Sequence, residues 1–242
     1  CSLAVHQRLF FMSALSTPSV HSRLLILDFG SQYTQVIARR IRECRVYSQI
    51  VPFDTAAAEI QKLAPQGIIL SGGPASVYGK KAPHPDPEIF NLGIPVLGIC
   101  YGMQLMGHHL EGKVEHSAQR EYGMGSLEVV AKSALFEGLG DFMEIWNSHG
   151  DKLTKLPKGF RTVARTPNSP YAAIEHKSKR FFGLQFHPEV VHTPRGREIL
   201  SNFLFRVCGF QQDWTMGSFI EESCAQIREQ VGDAHVILGL SG

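Results

Sequence analysis

Several features are scarce in this chain, and each scarcity removes a class of function. Charge of one sign is not in excess: 24 basic and 22 acidic residues leave a formal net charge of +2 over 242 residues. Bulk charge therefore gives no support for binding nucleic acid or an anionic membrane surface. No apolar stretch approaches the roughly 20 residues that span a bilayer. Leu9-Phe10-Phe11-Met12 is too short for that and lacks the ordered regions of a signal peptide. The five cysteines (Cys1, Cys44, Cys100, Cys208 and Cys224) are an odd number at wide, irregular spacing, with no Cys-x-x-Cys pair. That pattern suggests neither a zinc site nor a disulfide framework, and it predicts a reducing, cytoplasmic compartment. Internal repeats and low-complexity tracts are missing too. No Gly-Lys-Ser/Thr follows a glycine loop, which argues against a P-loop.

What remains is an ordinary globular composition, 43% hydrophobic and 19% charged, with enough apolar residues for a sizeable core. Leu24 to Asp28, Val46 to Val51, Gly67 to Leu70 and Pro95 to Ile99 are short apolar runs, as buried parallel strands should be. Between them lie helical patterns: Gln32 to Cys44, a short helix Thr55 to Leu63 after a capping Asp54, and one near Pro87 to Leu92. A further helix follows Cys100 and runs through Leu110. This alternation predicts an α/β fold with an open, mostly parallel sheet flanked by helices. From about residue 113 to 186 the texture changes to short strands and turns, predicting an antiparallel addition that covers the sheet. Thr193 to Cys208 reads as a closing amphipathic helix.

The same patterns divide the chain. Residues 1–22 read as a disordered leader rich in Ser and Thr, with Met12 as the start and residues 1–11 as upstream translation. Residues 23–208 form the main domain, 209–216 a linker, and 217–242 the opening of a second domain. In that last segment a helix leads to the apolar run Val236-Ile237-Leu238 and then Gly239-Leu240-Ser241-Gly242.

In open α/β sheets, ligands bind beyond the carboxyl ends of the strands. Asp28-Phe29-Gly30, Ser71-Gly72-Gly73 and Cys100 all fall at such ends, so topology assigns them to one site. Cys100 lies in Gly98-Ile99-Cys100-Tyr101-Gly102 at a strand-to-helix junction, the thiol counterpart of a nucleophile elbow. A helix N-terminus also favours thiolate. Taken alone, the cysteine fits an inert core position equally well.

A nucleophilic thiol needs a base, and the base an orienting group. Among the 11 histidines, His187 is distinctive because it ends an apolar strand and precedes Pro188 and Glu189. Pro188 forces His187 into extended geometry, and residues two apart on an extended chain point the same way. Glu189 can therefore back the His187 imidazole, although an isolated His-Pro-Glu also suits a surface turn. Backbone N–H groups for an oxyanion could come from Tyr101, directly after the cysteine, and from Gly72-Gly73. A plain turn is the alternative for the glycine pair. Ser148-His149-Gly150-Asp151 is, by pattern alone, a turn candidate.

Leu70-Ser71-Gly72-Gly73-Pro74, Gly98 to Gln104 and Gln185-Phe186-His187-Pro188-Glu189 occur in the order and approximate spacing of class I, triad-type glutamine amidotransferases. The resemblance covers residues 24 to about 208. It implies a flavodoxin-like domain that hydrolyses L-glutamine to glutamate and ammonia through a glutamyl thioester. By that resemblance Cys100, His187 and Glu189 are catalytic, with Gly73 and Tyr101 lining the oxyanion hole. Gln104, Ser148, His149, Gly150 and Asp151 are implied to contact glutamine. The segment Leu27 to Gln35 and Ser148 to Asp151 resemble the GMP synthetase branch. The tail resembles the strand that opens an ATP pyrophosphatase domain, with Ser241 and Gly242 as the start of its ATP loop.

That likeness implies no cofactor or metal for the glutaminase part. It implies ATP, Mg2+ and XMP for a synthetase domain of the same full-length chain, and a homodimer formed through its C-terminal part. Rival readings are the glutaminase of anthranilate, CTP or carbamoyl-phosphate synthesis, a cysteine peptidase-like hydrolase, and a non-catalytic flavodoxin-like binding module. The tail argues against the first two, and intact candidate triad residues against the last.

Overall fold

A computed structural model describes residues 22–232 and Ala234. Residues 1–21 of the expected leader, and Ser241 and Gly242, expected to begin an ATP loop, lie outside the described residues.

Nine strands among the described residues form one sheet in the order β2-β1-β3-β4-β9-β8-β7-β5-β6. Strands β1 (Arg23–Asp28), β2 (Tyr47–Pro52), β3 (Gly67–Leu70), β4 (Val96–Ile99) and β9 (Phe181–Leu184) pair in parallel. Strand β1 shows why a continuous apolar run suits this place. Leu24 and Ile26 face a cluster with Ile37 and Ile41 on one side of the sheet, while Leu25 and Leu27 face Ile60 and Met103 on the other. All four leucine and isoleucine side chains of that run are fully buried. Each contributes about 1.5–3 kcal/mol relative to an exposed position.

Helices α1 (Thr34–Glu43), α2 (Ala57–Leu63) and α3 (Tyr101–His109) follow β1, β2 and β4. Helix α4 (Gly196–Asn202) follows β9 and continues into a π-helical turn, Phe203–Val207. Ile199, Leu200, Phe203, Leu204 and Val207 are buried there, as the amphipathic pattern predicts. Asp54 does not cap α2, whose N-cap is Ala56 with no side-chain bond. Instead the Asp86 carboxylate accepts from the Ala57 N–H at 2.9 Å and, with its other oxygen, from the Glu88 N–H at 3.0 Å. One side chain thus serves two helical starts, α2 and the 3₁₀ turn Pro87–Asn91.

The antiparallel region does not cover the sheet; it extends it sideways. Strands β8 (Ala173–His176), β7 (Phe160–Arg165), β5 (Lys113–Val129) and β6 (Phe142–Lys155) continue from β9. Strands β5 and β6 are much longer than their apolar segments suggest, and Ser148-His149-Gly150-Asp151 lies inside β6 rather than in a turn. Cross-strand pairing is the reason. Each residue gains its ladder partner from β5, which local sequence does not encode. The register breaks once near this segment: His116 pairs with Asp151 and Glu121 with His149. Residues 117–120 are therefore crowded opposite Gly150, a bulge of the kind that re-aims side chains.

Beyond α4 the chain stays packed. Phe210 and Trp214 are buried, and the Trp214 N–H donates to the Arg45 carbonyl at 3.1 Å. Helix α5 (Met216–Val231) then starts at a capping box of Thr215 and Ser218. No helix among the described residues is long and apolar enough to cross a membrane.

Candidate active site

The junction of β4 and α3 places Cys100 at the carboxyl edge of the sheet. Its backbone sits at φ 51°, ψ −103°, a left-handed conformation that costs a non-glycine residue of order 1–3 kcal/mol. Two features hold it there. The Cys100 N–H donates to the Leu184 carbonyl at 2.7 Å, locking the turn to β9. Gly102 lets α3 approach β3 so closely that a Cβ there would collide with the Leu70 carbonyl oxygen.

Strand β9 runs on through Gln185 and Phe186 and delivers His187 beside Cys100. Glu189 Oε1 meets His187 Nδ1 at 2.7 Å, with Glu189 fully buried and His187 nearly so. That bond occupies Nδ1 and leaves Nε2 as the nitrogen that can serve the sulfur. The segment is held from several directions. Thr193 Oγ1 donates to the His187 carbonyl at 2.6 Å and accepts from the Trp146 N–H at 3.0 Å. Arg40 Nε donates to the Glu189 carbonyl at 3.0 Å, and the Tyr33 ring meets the imidazole edge-on at 5.2 Å.

Electrostatics favours a charged imidazole beside Cys100. Burial opposes charge on His187, but the hydrogen bond and charge of Cys100, followed by those of Glu189, hold its pKa well above the ordinary 6.5. Cys44 and Cys208 are also buried, and burial pushes both thiols up, toward the inert protonated form. Cys100 Sγ lies 3.7 Å from the Ser148 carbonyl oxygen and 3.9 Å from Gln185 Nε2.

A cavity of about 660 Å³ opens over the sulfur. Cys100, His187, Gly73, Gln104, Ser148, His149, Gly150 and Asp151 all line it. Glu189 stands behind His187, outside the cavity. Tyr101 turns its side chain away: its ring packs against Phe29 and its hydroxyl donates to the Pro83 carbonyl at 2.9 Å. Only its backbone can serve the site. The first intrahelical bond of α3 runs from the Gln104 N–H to the Cys100 carbonyl, so the Tyr101 N–H lies in the turn without helical partners.

The opposite wall comes from β5 and β6. Gln104 Nε2 donates to the Asp151 carbonyl at 2.8 Å, tying α3 to β6. His116 lies in β5 and pairs with Asp151 Oδ1 at 3.0 Å. His149 Nε2 approaches Glu121 Oε2 at 3.2 Å, an ion-pair distance without hydrogen-bond geometry. Burial raises the Glu121 pKa, but His149 and Thr166 outweigh it and hold the carboxyl below its ordinary range. Glu121, His116 and Thr193 carry no local motif, and Tyr33 lies in the segment Leu27 to Gln35 without a role legible there. Only the β5–β6 register and the packing of α1 on the His187 segment bring them to the site.

The arrangement can hold a small polar substrate against a thiol with a carboxylate-backed imidazole. Residues 25–207 match the profile of the glutamine amidotransferase class-I family. The chain is 54% identical over 219 residues to a GMP synthase [glutamine-hydrolyzing] from Acetivibrio thermocellus, and 52% identical to one from Aquifex aeolicus. Each match covers 90% of this chain but only 43% of the relative's length. A crystal structure described as a GMP synthase subunit from Thermoplasma acidophilum superposes with a TM-score of 0.68 at 27% identity. That superposition covers 84% of this chain and 98% of the other. On the extent of the profile match, the chain belongs to the class-I glutamine amidotransferase family.

Proposed function

We propose that this chain hydrolyses L-glutamine and supplies the ammonia for ATP-dependent amination of XMP to GMP. The observation that carries the reading is the meeting of Cys100 with the buried His187–Glu189 pair at the floor of one polar cavity. In the proposed sequence, His187 takes the Cys100 proton and the sulfur attacks the side-chain amide carbon. Charge develops on the amide oxygen, toward the N–H groups of Gly73 and Tyr101. His187 then returns a proton to the departing nitrogen, ammonia leaves, and a glutamyl thioester remains. Water, deprotonated by His187, adds to the thioester and releases glutamate and the thiol. Glu189 holds the imidazole in the required tautomer throughout.

Gln104, Ser148, His149, Gly150 and Asp151 are assigned to the amino-acid end of glutamine, because they form the wall opposite His187. The glutaminase steps call on no cofactor or metal. ATP, Mg2+ and XMP would be held by a synthetase part like that of the longer relatives, and dimerisation is likewise assigned to that part. A reducing cytoplasm suits the free thiols Cys44, Cys100, Cys208 and Cys224. The test is Cys100→Ala, assayed for glutamate release from glutamine with melting followed in parallel. Loss of activity at an unchanged melting temperature supports the reading; near-native activity ends it.

A further inference from the structure

The glycine pair beside Cys100 faces a conformational difficulty. Peptide 72–73 has glycine on both sides, so no Cβ opposes a half-turn of the whole peptide plane. A flipped plane would present the Gly72 carbonyl, a negative dipole, where oxyanion charge develops. The cavity needs the other face. Gly73 lines it with Cys100, and a Cβ on Gly72 would lie 3.1 Å from His187 Cε1.

Ser71, directly before the pair, is fully buried. Its Oγ accepts from the Phe29 N–H at 3.0 Å and donates to the Gly72 carbonyl at 2.9 Å. Phe29 follows the end of β1, so the accepted bond comes from a backbone group that the sheet already fixes. A hydroxyl has a single proton, and the accepted bond leaves that proton directed at Gly72. The peptide is trans, as all described peptides are. Its N–H therefore points opposite to its carbonyl.

We propose that Ser71 is a positioning residue whose hydroxyl, anchored on the Phe29 N–H, locks peptide 72–73 with the Gly73 N–H available to the oxyanion. Ser71 touches neither glutamine nor the sulfur. It acts by keeping the Gly72 carbonyl engaged, so that the hole is formed before substrate arrives. The inference rests on the glutaminase reading given above.

The test compares Ser71→Ala and Ser71→Thr with the unaltered chain. It measures glutamate formed from labelled glutamine and the rate at which iodoacetamide alkylates Cys100. Deleting an oxyanion donor outright costs about 10²–10³-fold in kcat. Loosening one should cost Ser71→Ala roughly 10–100-fold in kcat, with KM within about threefold. Alkylation reports the thiol and its base without needing the hole, so it should stay within about twofold. Ser71→Thr keeps the hydroxyl and should keep kcat within about threefold of the unaltered chain. Native kcat in Ser71→Ala, a parallel loss of alkylation, or equal losses in both variants would overturn the lock. No glutamate from the unaltered chain would instead remove the glutaminase reading, and the lock with it.

Discussion

The parallel and antiparallel halves of the sheet build opposite walls of one cavity by different means. In the parallel half, Cys100, Gly73 and His187 sit just past the ends of β4, β3 and β9, where the chain leaves the sheet. Backbone bonds and a close glycine contact fix Cys100, while buried side chains reaching the local backbone or the ring, Ser71, Thr193 and Glu189, hold Gly73 and His187. In the antiparallel half, Ser148 to Asp151 lie within a 14-residue strand, and side-chain pairs across a register break hold them: His116–Asp151 and Glu121–His149. On the proposed reading, the chemistry falls on the parallel half, and recognition falls chiefly on the half whose geometry depends on strand register, with Gln104 of α3 at the seam.

The largest expected effect falls on the parallel half. Glu189→Gln leaves the His187 ring without its carboxylate and should lower kcat for glutamine hydrolysis by about 10³-fold. The same variant exposes the pKa of His187. Its folded pKa is raised above the ordinary 6.5, so its stabilising contribution is complete below that value and lost as pH climbs through the folded one. The melting-temperature gap between the unaltered chain and Glu189→Gln should be widest in mildly acidic solution and narrow on the alkaline side. A gap independent of pH would break the assignment.

Next comes a pair of glycines, one from each half. Gly102→Ala would drive a Cβ into the Leu70 carbonyl oxygen, a backbone atom that cannot swing aside. Overpacking of this kind costs about 3 kcal/mol, roughly 10 °C of melting temperature in a domain this size. Gly123→Ala, at φ +95° in β5 with nothing within 4 Å, carries only the left-handed penalty of about 1–2 kcal/mol. Equal losses in thermal melts would show that the two halves are packed alike.

This contrast also decides what sequence alone can reveal. Strand-end residues of the parallel half announce themselves locally, because an apolar run, a glycine and a reactive side chain are contiguous. Cys100 within Gly98 to Gly102, and His187 before Pro188-Glu189, are legible for that reason. Long antiparallel strands carry no such punctuation. Ser148 to Asp151 read as a turn because Ser, Gly and Asp are turn formers, yet pairing with β5 holds them extended. His116 and Glu121 reach the same wall only through the crowding of residues 117–120 opposite Gly150, which is a property of two strands together. The capping of α2 escaped for a related reason. Asp54 is the local candidate, but Asp86 arrives from 29 residues away.

A smaller effect probes the seam between the halves. Gln104 on α3 donates to the Asp151 carbonyl on β6 at 2.8 Å, and both residues line the cavity. Gln104→Ala removes one buried hydrogen bond, about 1 kcal/mol, and unsettles the recognition wall without touching the thiol or its base. KM for glutamine should rise roughly five- to tenfold while kcat changes little. A fall in kcat at constant KM would move Gln104 from recognition to the chemistry.

The smallest effect tests whether the helices, rather than the site, distinguish the parallel half. Helices α1 to α4 all follow parallel strands, and two of its helical starts share the Asp86 carboxylate. Hydrogen bonds from the Ala57 and Glu88 backbone hold the Asp86 pKa below its ordinary 3.8. Its contribution is therefore present above that value and disappears as pH falls through the lower folded one. Asp86→Ala should cost about 1 kcal/mol near neutral pH, a few degrees in a thermal melt, with glutamine hydrolysis unchanged. The difference should shrink as pH falls through that lowered value, since both proteins then lack the anion. In the antiparallel half the exposed Glu128–Arg165 pair joins β5 to β7 at 2.8 Å, but solvent screens it. Glu128→Ala should leave the melt where it was. If it lowered the melt as far as Asp86→Ala, the antiparallel half would owe its stability to surface charge rather than to strand pairing and burial.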